Sequence, residues 1–315
     1  MSPQRGHNEW REAVTYPVRE QTATWHDAAR GRDVPIRVYL PDGLEGRAPV
    51  VVFSHGLGSS CDGYAYLGRH WAAGGYLVVH PTHIGSDADA LRGPGGLPPR
   101  SLAEFLADVQ QWQDRPRDVS FVLDRLADEP KLREHADLDR VAAAGHSYGA
   151  FTALALAGLV IDLPDRLGVT FRDPRVRAAI VMSPQSQDKF GLRVDSWNRI
   201  DIPVLSLTGT KDMEYGVGSA APRRTSYDRT PGRDQFLVTI DGATHATFDD
   251  PHRLRIRVKP HNPAHHEYIR AVTAAFLDAC LRGSAAAQRW LLSGAVERLS
   301  AGACRFEYKR VNLLP

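Results

Sequence analysis

The pentapeptide GHSYG at positions 145–149 constrains this chain most, because a strand pattern precedes it and a helix pattern follows it. Residues 140–144 form a short apolar run of strand length, and residues 150–159 are rich in alanine and leucine. This setting is typical of a turn that presents a serine hydroxyl above a sheet. Glycine is needed on both sides because the turn is strained and the neighbouring backbone packs close, where a Cβ would clash. Ser147 is therefore the candidate nucleophile.

The candidate acid is Asp212. A serine hydroxyl is a weak nucleophile at neutral pH, so it needs a base and an acid that orients the base. The order serine, acid, histidine along the chain is the one expected for a turn of this kind. Asp212 follows segment 202–208, which has the pattern of a buried parallel strand, and ligand and catalytic groups in such sheets lie at the C-terminal ends of strands. Glu214, Asp188 and Asp195 remain alternatives.

The candidate base is His245, one of 13 histidines. It follows the apolar strand pattern of residues 235–240 after a glycine turn, and its neighbours are small. His146 lies inside the pentapeptide but is expected to point away from the active face. His80 and His83 end an earlier strand and are expected to shape the rim of the site.

Backbone donors for a reacting carbonyl oxygen are expected in segment 54–58. It follows residues 49–53, a continuous β-branched and aromatic run that predicts a central strand. Glycines in this segment allow the backbone to turn its N–H groups toward the reaction centre. The expected oxyanion donors are the amides of Leu57 and of Tyr148, the residue after the candidate nucleophile.

Five side chains are candidates for binding a substrate. Gln185 lies at the C-terminal end of a predicted strand, where it is placed to contact either part of the substrate. The aromatic candidates for the pocket wall are Tyr64, Trp197, Tyr215 and Phe248. Aromatic side chains more often belong to the core, so a core role stays the alternative for these four.

Strand and helix patterns alternate from about residue 20 to 280 without a linker rich in serine or glycine, which predicts one domain. We expect an N-terminal extension at 1–19, the domain at 20–285 and a C-terminal tail at 286–315 packed on the domain. Two alternating segments around the turn at 30–33 predict a β-hairpin at the edge of the sheet.

Two irregular stretches, 82–100 and 213–232, interrupt this alternation and are expected to form loops at the rim or lid of the site. Ser101 and Glu104 have the spacing of a capping box, which predicts the start of a helix. Pro116 is expected to restart the helix further along the chain.

The composition excludes several classes of protein. A formal net charge of +2 argues against a nucleic-acid partner, and the basic run at 253–259 is interpreted as a solvated face. The sequence has no apolar leader and no run long enough to span a membrane, and its three cysteines have no metal-ligand spacing, so we expect a cytoplasmic protein. His261, His265 and His266 lack a carboxylate at ligand spacing, so no metal or other cofactor is expected.

Three segments carry a resemblance to known proteins: HGLG at 55–58, the segment 64–72 and GHSYG at 145–149. Together they resemble the α/β-hydrolase superfamily, and more narrowly the bacterial proteins similar to platelet-activating factor acetylhydrolase and dienelactone hydrolase. The resemblance covers roughly residues 20–285. It implies an α/β-hydrolase fold, with a mostly parallel twisted sheet and helices on both faces, and the activity of an esterase.

The chain departs from these families at two places. Dienelactone hydrolase has a cysteine nucleophile, whereas this chain has Ser147. In the acetylhydrolase the acid follows the strand that corresponds to 176–182, but here that strand ends without a carboxylate, so specificity for phospholipid acetyl esters is not implied. The stretch 182–189 is also similar to the substrate-lining loop of cutinase-like polyester hydrolases, without their tryptophan.

The sequence therefore predicts a serine hydrolase that cleaves carboxylic esters through an acyl-enzyme intermediate. The expected partner is a small-molecule ester with a short to medium acyl group, or a small polyester-like substrate. A transacylase and a ligand-binding receptor on a hydrolase scaffold are the alternatives. The sequence makes no prediction about the oligomeric state.

Overall fold

The computed structural model describes residues 10, 15–92, 101–232, 234–250 and 262–309. The strands are β1 (Val18–Asp27), β2 (Arg32–Pro41), β3 (Ala48–Ser54), β4 (Leu77–Pro81), β5 (Ala136–His146), β6 (Val160–Ile161), β7 (Val169–Thr170), β8 (Val176–Met182), β9 (Val204–Lys211), β10 (Gln235–Thr244) and β11 (Cys304–Lys309). The helices are α1 (Ala65–Ala73), α2 (Ala88–Arg92), α3 (Leu102–Leu106), α4 (Val109–Asp128), α5 (Pro130–Arg133), α6 (Tyr148–Ala157), α7 (Thr225–Arg229), α8 (Pro263–Leu281), α9 (Ala285–Leu292) and α10 (Ala295–Leu299).

Nine of the strands form one sheet in the order β1-β2-β4-β3-β5-β8-β9-β10-β11. The strands from β4 to β10 in this order pair in parallel, which requires crossover connections. Most of these connections contain helices, whereas the one between β8 and β9 has none. At one edge β1 and β2 form an antiparallel hairpin, which confirms the prediction made from the turn at 30–33. The sheet is therefore mostly parallel, with antiparallel strands at both edges.

Both faces of the sheet are covered by helices, as predicted. Every residue of β3 is buried, and its side chains alternate between two hydrophobic layers. Val50 and Val52 belong to the layer that contains residues of α4 and α6. Val51 and Phe53 belong to the layer that contains residues of α1, α8 and α9. This arrangement fixes the C-terminal ends of the central strands, where the candidate functional residues lie.

Helix α4 corrects the expectation that Pro116 restarts a helix. It runs without interruption from Val109 to Asp128, and Asp108 caps it by accepting hydrogen bonds from the amides of the second and third residues. A proline removes one backbone hydrogen bond but does not end a helix whose apolar face is packed on both sides of it. Trp112 and Val119, one turn before and after the proline, are both in the core.

The two irregular stretches contain more regular structure than predicted. In the second, a 3₁₀ turn over Ala221–Arg224 leads directly into α7. The first stretch contains α2, and its residues 93–100 lie outside the described residues. The predicted capping box of Ser101 and Glu104, which follows this stretch, is present. The basic run at 253–259 also lies outside the described residues.

The segment after α8 contributes to the main sheet. Helices α9 and α10 pack beside α8, and β11 pairs antiparallel with β10, so that Phe236 lies opposite Tyr308. The last described residues therefore form an edge strand beside β10, the strand that directly precedes His245. No helix in the described ranges has the length and apolar character needed to cross a membrane.

Candidate active site

Three predicted residues meet at the C-terminal edge of the sheet. Ser147 follows β5, Asp212 follows β9 and His245 follows β10, and parallel strands bring these ends to one edge. The Nε2 atom of His245 lies 2.9 Å from the Ser147 hydroxyl oxygen. Its Nδ1 atom lies 3.0 Å from Oδ1 of Asp212. With Nδ1–H donating to the carboxylate, Nε2 is free of its proton and faces the hydroxyl, as a base for the serine requires.

The turn around Ser147 has the strained geometry that the pentapeptide predicts. Ser147 has φ of 54° and ψ of −117°, in a region that residues with a side chain rarely adopt. A Cβ at Gly145 would overlap the backbone of Gly149, and a Cβ at Gly149 would overlap the carbonyl of Ser54. The two glycines are needed because the turn is pressed against the end of β3. The amide of Ser147 donates to the carbonyl of Met182 at 2.9 Å, which fixes the turn to β8 as well.

Asp212 is fully buried and held in one orientation. The hydroxyl of Thr208 donates to its Oδ2 at 2.9 Å, while its Oδ1 faces His245. Burial alone would raise the pKa of the Asp212 carboxyl, but the hydrogen bond from His245 and the charge of Arg223 outweigh burial and lower the pKa to about 2. The carboxylate is therefore ionised throughout the neutral and mildly acidic range.

The alternative carboxylates lie elsewhere. Glu214 accepts hydrogen bonds from the amide of Ser186 at 3.0 Å and from its hydroxyl at 2.6 Å. Asp188 and Asp195 are exposed. Among the described residues, Asp212 is the carboxylate in hydrogen-bond contact with His245.

Comparisons with known proteins agree with this architecture. The sequence model of the chlorophyllase family matches residues 12–165. A solved ferulic acid esterase from Streptomyces cinnamoneus superposes with a TM-score of 0.64 at 21% identity, covering 87% of this chain and 92% of that one. The chain has the α/β-hydrolase fold. It is also similar to platelet-activating factor acetylhydrolases, at 23% identity over 233 residues for the Bos taurus protein and 22% over 245 residues for the Cavia porcellus protein.

These matches with the acetylhydrolases cover 64% and 69% of this chain but only 48% and 52% of the two relatives. The chain thus spans about half the length of the curated relatives it matches. The expected relationship to the α/β-hydrolases and to the platelet-activating factor acetylhydrolases is confirmed.

The loop after β3, which carries Leu57, rests on a buried polar array. The Ser54 hydroxyl lies 3.1 Å from Nε2 of His83, and Nδ1 of His83 lies 3.0 Å from Oδ2 of Asp118. This is a second serine–histidine–aspartate arrangement, but all three side chains are buried, so no substrate reaches its serine. Burial, together with the nearby arginines, lowers the pKa of His83 well below its usual value, so this histidine is neutral. Its role is structural: its amide also donates to Nε2 of His55 at 3.0 Å.

A buried arginine links the same loop to the helix that follows the nucleophile. Arg115 of α4 donates to the carbonyl of His55, to the hydroxyl of Ser86 at 2.8 Å and to the hydroxyl of Thr152 at 3.0 Å. Its guanidinium lies 4.4 Å from the centre of the Tyr148 ring. Burial lowers the pKa of Arg115 to about 10, so it remains charged at neutral pH. One guanidinium thus connects β3, the loop after β4, and α6.

The candidate oxyanion donors lie on both sides of this connection. Leu57 is half-buried in the loop after β3, and the amide of Gly58 next to it donates to the carbonyl of Ser86 at 2.9 Å. Tyr148 is the first residue of α6, at the end of the helix where the backbone dipoles present positive charge. Their role in binding an oxyanion stays a prediction.

Three of the four aromatic candidates for substrate binding are buried, which corrects their predicted place on a pocket wall. Trp197 belongs to the hydrophobic layer of α4 and α6, and Phe248 to the opposite layer. Tyr64 is buried against the loop after β3, where its hydroxyl accepts a hydrogen bond from the amide of Gly56 at 3.2 Å. Aromatic residues near strand ends fill the space between sheet and helices because that burial removes a large apolar area from water.

The remaining two candidates, Tyr215 and Gln185, differ in exposure. Tyr215 is 56% exposed on the loop after β9. Gln185 is buried, and among the described residues its Oε1 has no hydrogen-bond partner. An open cavity of about 840 Å³ lies between residues 186–189, in the loop after β8, and segment 216–229, which runs from the loop after β9 into α7. Gln185 and Tyr215 are next to its lining along the chain and are not part of it. These two side chains stay candidates for contact with a substrate.

The other histidines also differ from expectation. His80 and His83 are buried in the interior and do not form the rim. The ring of His146 does not point away from the site: its centre lies 4.7 Å from that of His245, and its Nδ1 lies 2.8 Å from the Tyr64 hydroxyl oxygen. Burial and the neighbouring His245 lower the pKa of His146 well below its usual value, so it packs against the base as a neutral ring.

Histidines on α8 contact the same region without forming a metal site. His266 stacks on Tyr66 and its Nε2 lies 3.0 Å from the carbonyl of Thr247, whereas His261 lies outside the described residues. Within the described part of the chain, no three histidine, cysteine, aspartate or glutamate side chains are grouped to hold a metal ion.

Arg223 is a residue of the site that sequence reasoning missed. It lies on the 3₁₀ turn in the second irregular stretch, is 4% exposed, and its Nε lies 3.3 Å from Oδ1 of Asp212. No motif identifies it, because its partners come from separate loops. An arginine in a loop between an acid and a histidine is a weak signal, since most such arginines are solvated.

Replacing Arg115 with methionine is expected to lower the free energy of unfolding by about 2–4 kcal/mol, because the buried carbonyl of His55 and the Ser86 and Thr152 hydroxyls lose their shared donor. Urea denaturation measures this loss. Arg117→Met is the matched control, since Arg117 is exposed on the same helix, and it is expected to change stability by less than about 0.5 kcal/mol. Equal effects in the two variants would contradict the role given to Arg115.

Proposed function

We propose that this chain is a serine esterase of the carboxylesterase type, with Ser147 as nucleophile, His245 as base and Asp212 as the acid that orients it. The observation that carries the proposal is the continuous pair of hydrogen-bond contacts, 2.9 Å from Ser147 to His245 and 3.0 Å from His245 to Asp212. The strained backbone of Ser147 supports it, because such strain persists where function requires it.

The reaction follows from these contacts. As the Ser147 oxygen attacks the ester carbonyl, Nε2 of His245 takes the hydroxyl proton, and the Asp212 carboxylate stabilises the imidazolium that forms. The amides of Leu57 and Tyr148 donate to the oxyanion of the tetrahedral intermediate. His245 then returns the proton to the leaving alcohol, which leaves the acyl group on Ser147. Water, deprotonated by His245, attacks the acyl-enzyme and releases the carboxylic acid.

Hydrolysis is favoured over acyl transfer to another acceptor by the exposure of the base. The His245 side chain is 40% exposed, so water reaches it. A transacylase would need a site that excludes water after the first step. A receptor that has lost turnover would have no need to keep all three groups in hydrogen-bond contact.

The proposed substrates are small carboxylic esters with short to medium acyl groups, or small polyester-like molecules. The names of the proteins similar to this chain include a chlorophyllase family, platelet-activating factor acetylhydrolases and a ferulic acid esterase, which supports ester cleavage in general rather than one ester. Rates with p-nitrophenyl esters from acetate to octanoate measure the size of the acyl site, and a series with added alcohols detects acyl transfer.

Ser147→Ala is expected to abolish turnover of p-nitrophenyl acetate while the fold remains intact, because the half-buried serine hydroxyl hydrogen-bonds to His245 and fills little of the core. A fluorophosphonate probe should modify the native protein once, at Ser147, as determined by mass spectrometry of its peptides. Full activity in the alanine variant, or modification at a different residue, would rule out Ser147 as the nucleophile.

Asp212→Asn is expected to lower kcat on the order of 10³–10⁴-fold, because an amide does not hold His245 in the required tautomer. Since the pKa of Asp212 is about 2, the loss should persist over the whole neutral and mildly acidic range. Glu214→Gln is the control: it removes a neighbouring buried carboxylate that contacts Ser186 and not His245. If the glutamine variant is crippled while the asparagine variant is nearly unaffected, the acid is Glu214.

A further inference from the structure

Arg223 is held in place by three backbone carbonyls from two separate loops. Its Nη1 donates to the carbonyls of Ser183 and Pro184, each at 3.1 Å, and its Nη2 donates to the carbonyl of Met213 at 3.3 Å. The first two carbonyls follow β8 and the third follows β9. The planar guanidinium matches this set of acceptors, whereas the single ammonium of a lysine would not reach all of them in the same geometry. The cation therefore has a fixed position.

That position lies beside both the acid and the base. Nε of Arg223 is 3.3 Å from Oδ1 of Asp212, the same oxygen that faces His245. Nη2 of Arg223 is 3.3 Å from Nδ1 of His245. When Nδ1–H donates to Asp212, it has no lone pair to accept from the arginine, so the contact between Nη2 and Nδ1 then joins two donors.

The charge of Arg223 acts differently on the two protonation states of His245. A fixed cation 3.3 Å from the imidazole repels the protonated ring, and burial reduces the screening of that repulsion by water. It has no comparable effect on the neutral ring, which is the form that accepts the proton of Ser147. The same cation attracts the carboxylate of Asp212 and limits its rotation.

We propose that Arg223 is a positioning residue, which fixes the Asp212 carboxylate and whose charge opposes protonation of His245, the proposed base. This inference rests on the proposed function of Ser147, His245 and Asp212. Two charges then act on His245 in opposite directions: the Asp212 carboxylate favours the protonated imidazole, and the Arg223 guanidinium opposes it.

The other groups around His245 are consistent with a cation that opposes its protonation. His146, from the end of β5, is neutral because burial first, and the neighbouring His245 second, lower its pKa. Glu214, from the loop after β9, lies 3.9 Å from Nη1 of Arg223 and is partly balanced by it. Helix α8 meets the turn of His245 through His266, which contacts the carbonyl of Thr247. Within the described ranges, the contact of Arg223 with the His245 ring thus places a positive charge beside the proposed base.

The test is the pH dependence of kcat/KM for p-nitrophenyl acetate between pH 4 and 9 in the full chain. Arg223→Met and Arg223→Gln remove the charge, and the glutamine retains an amide donor for the carbonyls. These substitutions remove the positive charge beside His245 and leave the negative charge of Glu214 without its partner. Both changes favour the protonated form of His245. The midpoint of the acidic limb should rise by about one pH unit, which lowers kcat/KM about tenfold on that limb. KM on the plateau should stay unchanged, because Arg223 does not touch the substrate.

Arg224→Met is the matched control. Arg224 is the next residue on the same turn, but its guanidinium pairs with Glu307 at 2.8 Å and Asp228 at 3.1 Å, away from His245. Its removal should leave the acidic midpoint within about 0.2 units of the native value. Thermal unfolding of each variant establishes that it is folded, and the glutamine variant carries the test if the methionine variant is not.

A folded Arg223→Gln or Arg223→Met variant with the native midpoint would overturn the proposal, and so would an equal shift in Arg224→Met. Ser147→Ala is measured in parallel. If that variant still hydrolyses the ester, the proposed function itself is wrong. If it is inactive and the Arg223 variants keep the native profile, only the role of Arg223 is wrong.

Discussion

The close approach of the turn after β5 to the end of β3 is the constraint on which the rest of the site depends. No Cβ fits at Gly149, because the carbonyl of Ser54 occupies that space. This contact forces Ser147 into a backbone conformation that only surrounding structure maintains, with φ of 54°. It also sets the loop after β3 directly beside the first turn of α6. The proposed nucleophile and the expected oxyanion donors are therefore positioned by one packing contact between two neighbouring strands.

Strain of this kind needs a rigid support, and buried charged groups provide it. Arg115 connects the loop after β3 to α6, and Asp118, paired with Arg30 and Arg32, holds His83 beneath the same loop. On the other side of the site, Arg223 connects the loops after β8 and β9. Each buried charge would be costly alone, so each is stable only with its full set of partners. The apolar layers build the sheet, and these polar contacts fix its C-terminal edge.

The sequence predicts those parts of the structure that depend on local pattern. Ser147, Asp212 and His245 were found because each directly follows an apolar strand, and parallel strands bring such positions together. The burial of the aromatic residues was not predictable, since the residues beside Trp197 and Tyr215 do not record that the first packs in the core and the second lies on the surface. Arg115 and Arg223 were missed for the same reason: their partners are carbonyls of distant segments, and no spacing along the chain records such contacts.

The central claim is that an ester transfers its acyl group to Ser147. Rapid acid quenching of the protein during turnover of p-nitrophenyl butyrate, followed by mass spectrometry of its peptides, tests this claim most directly. The account predicts a butyryl group on the peptide of the native protein that contains Ser147. Any His245→Ala protein that becomes acylated should keep a larger acylated fraction, because no base then activates the water that releases the acid. Turnover by the native protein with no acyl group on that peptide, or with the acyl group on another residue, would contradict the account.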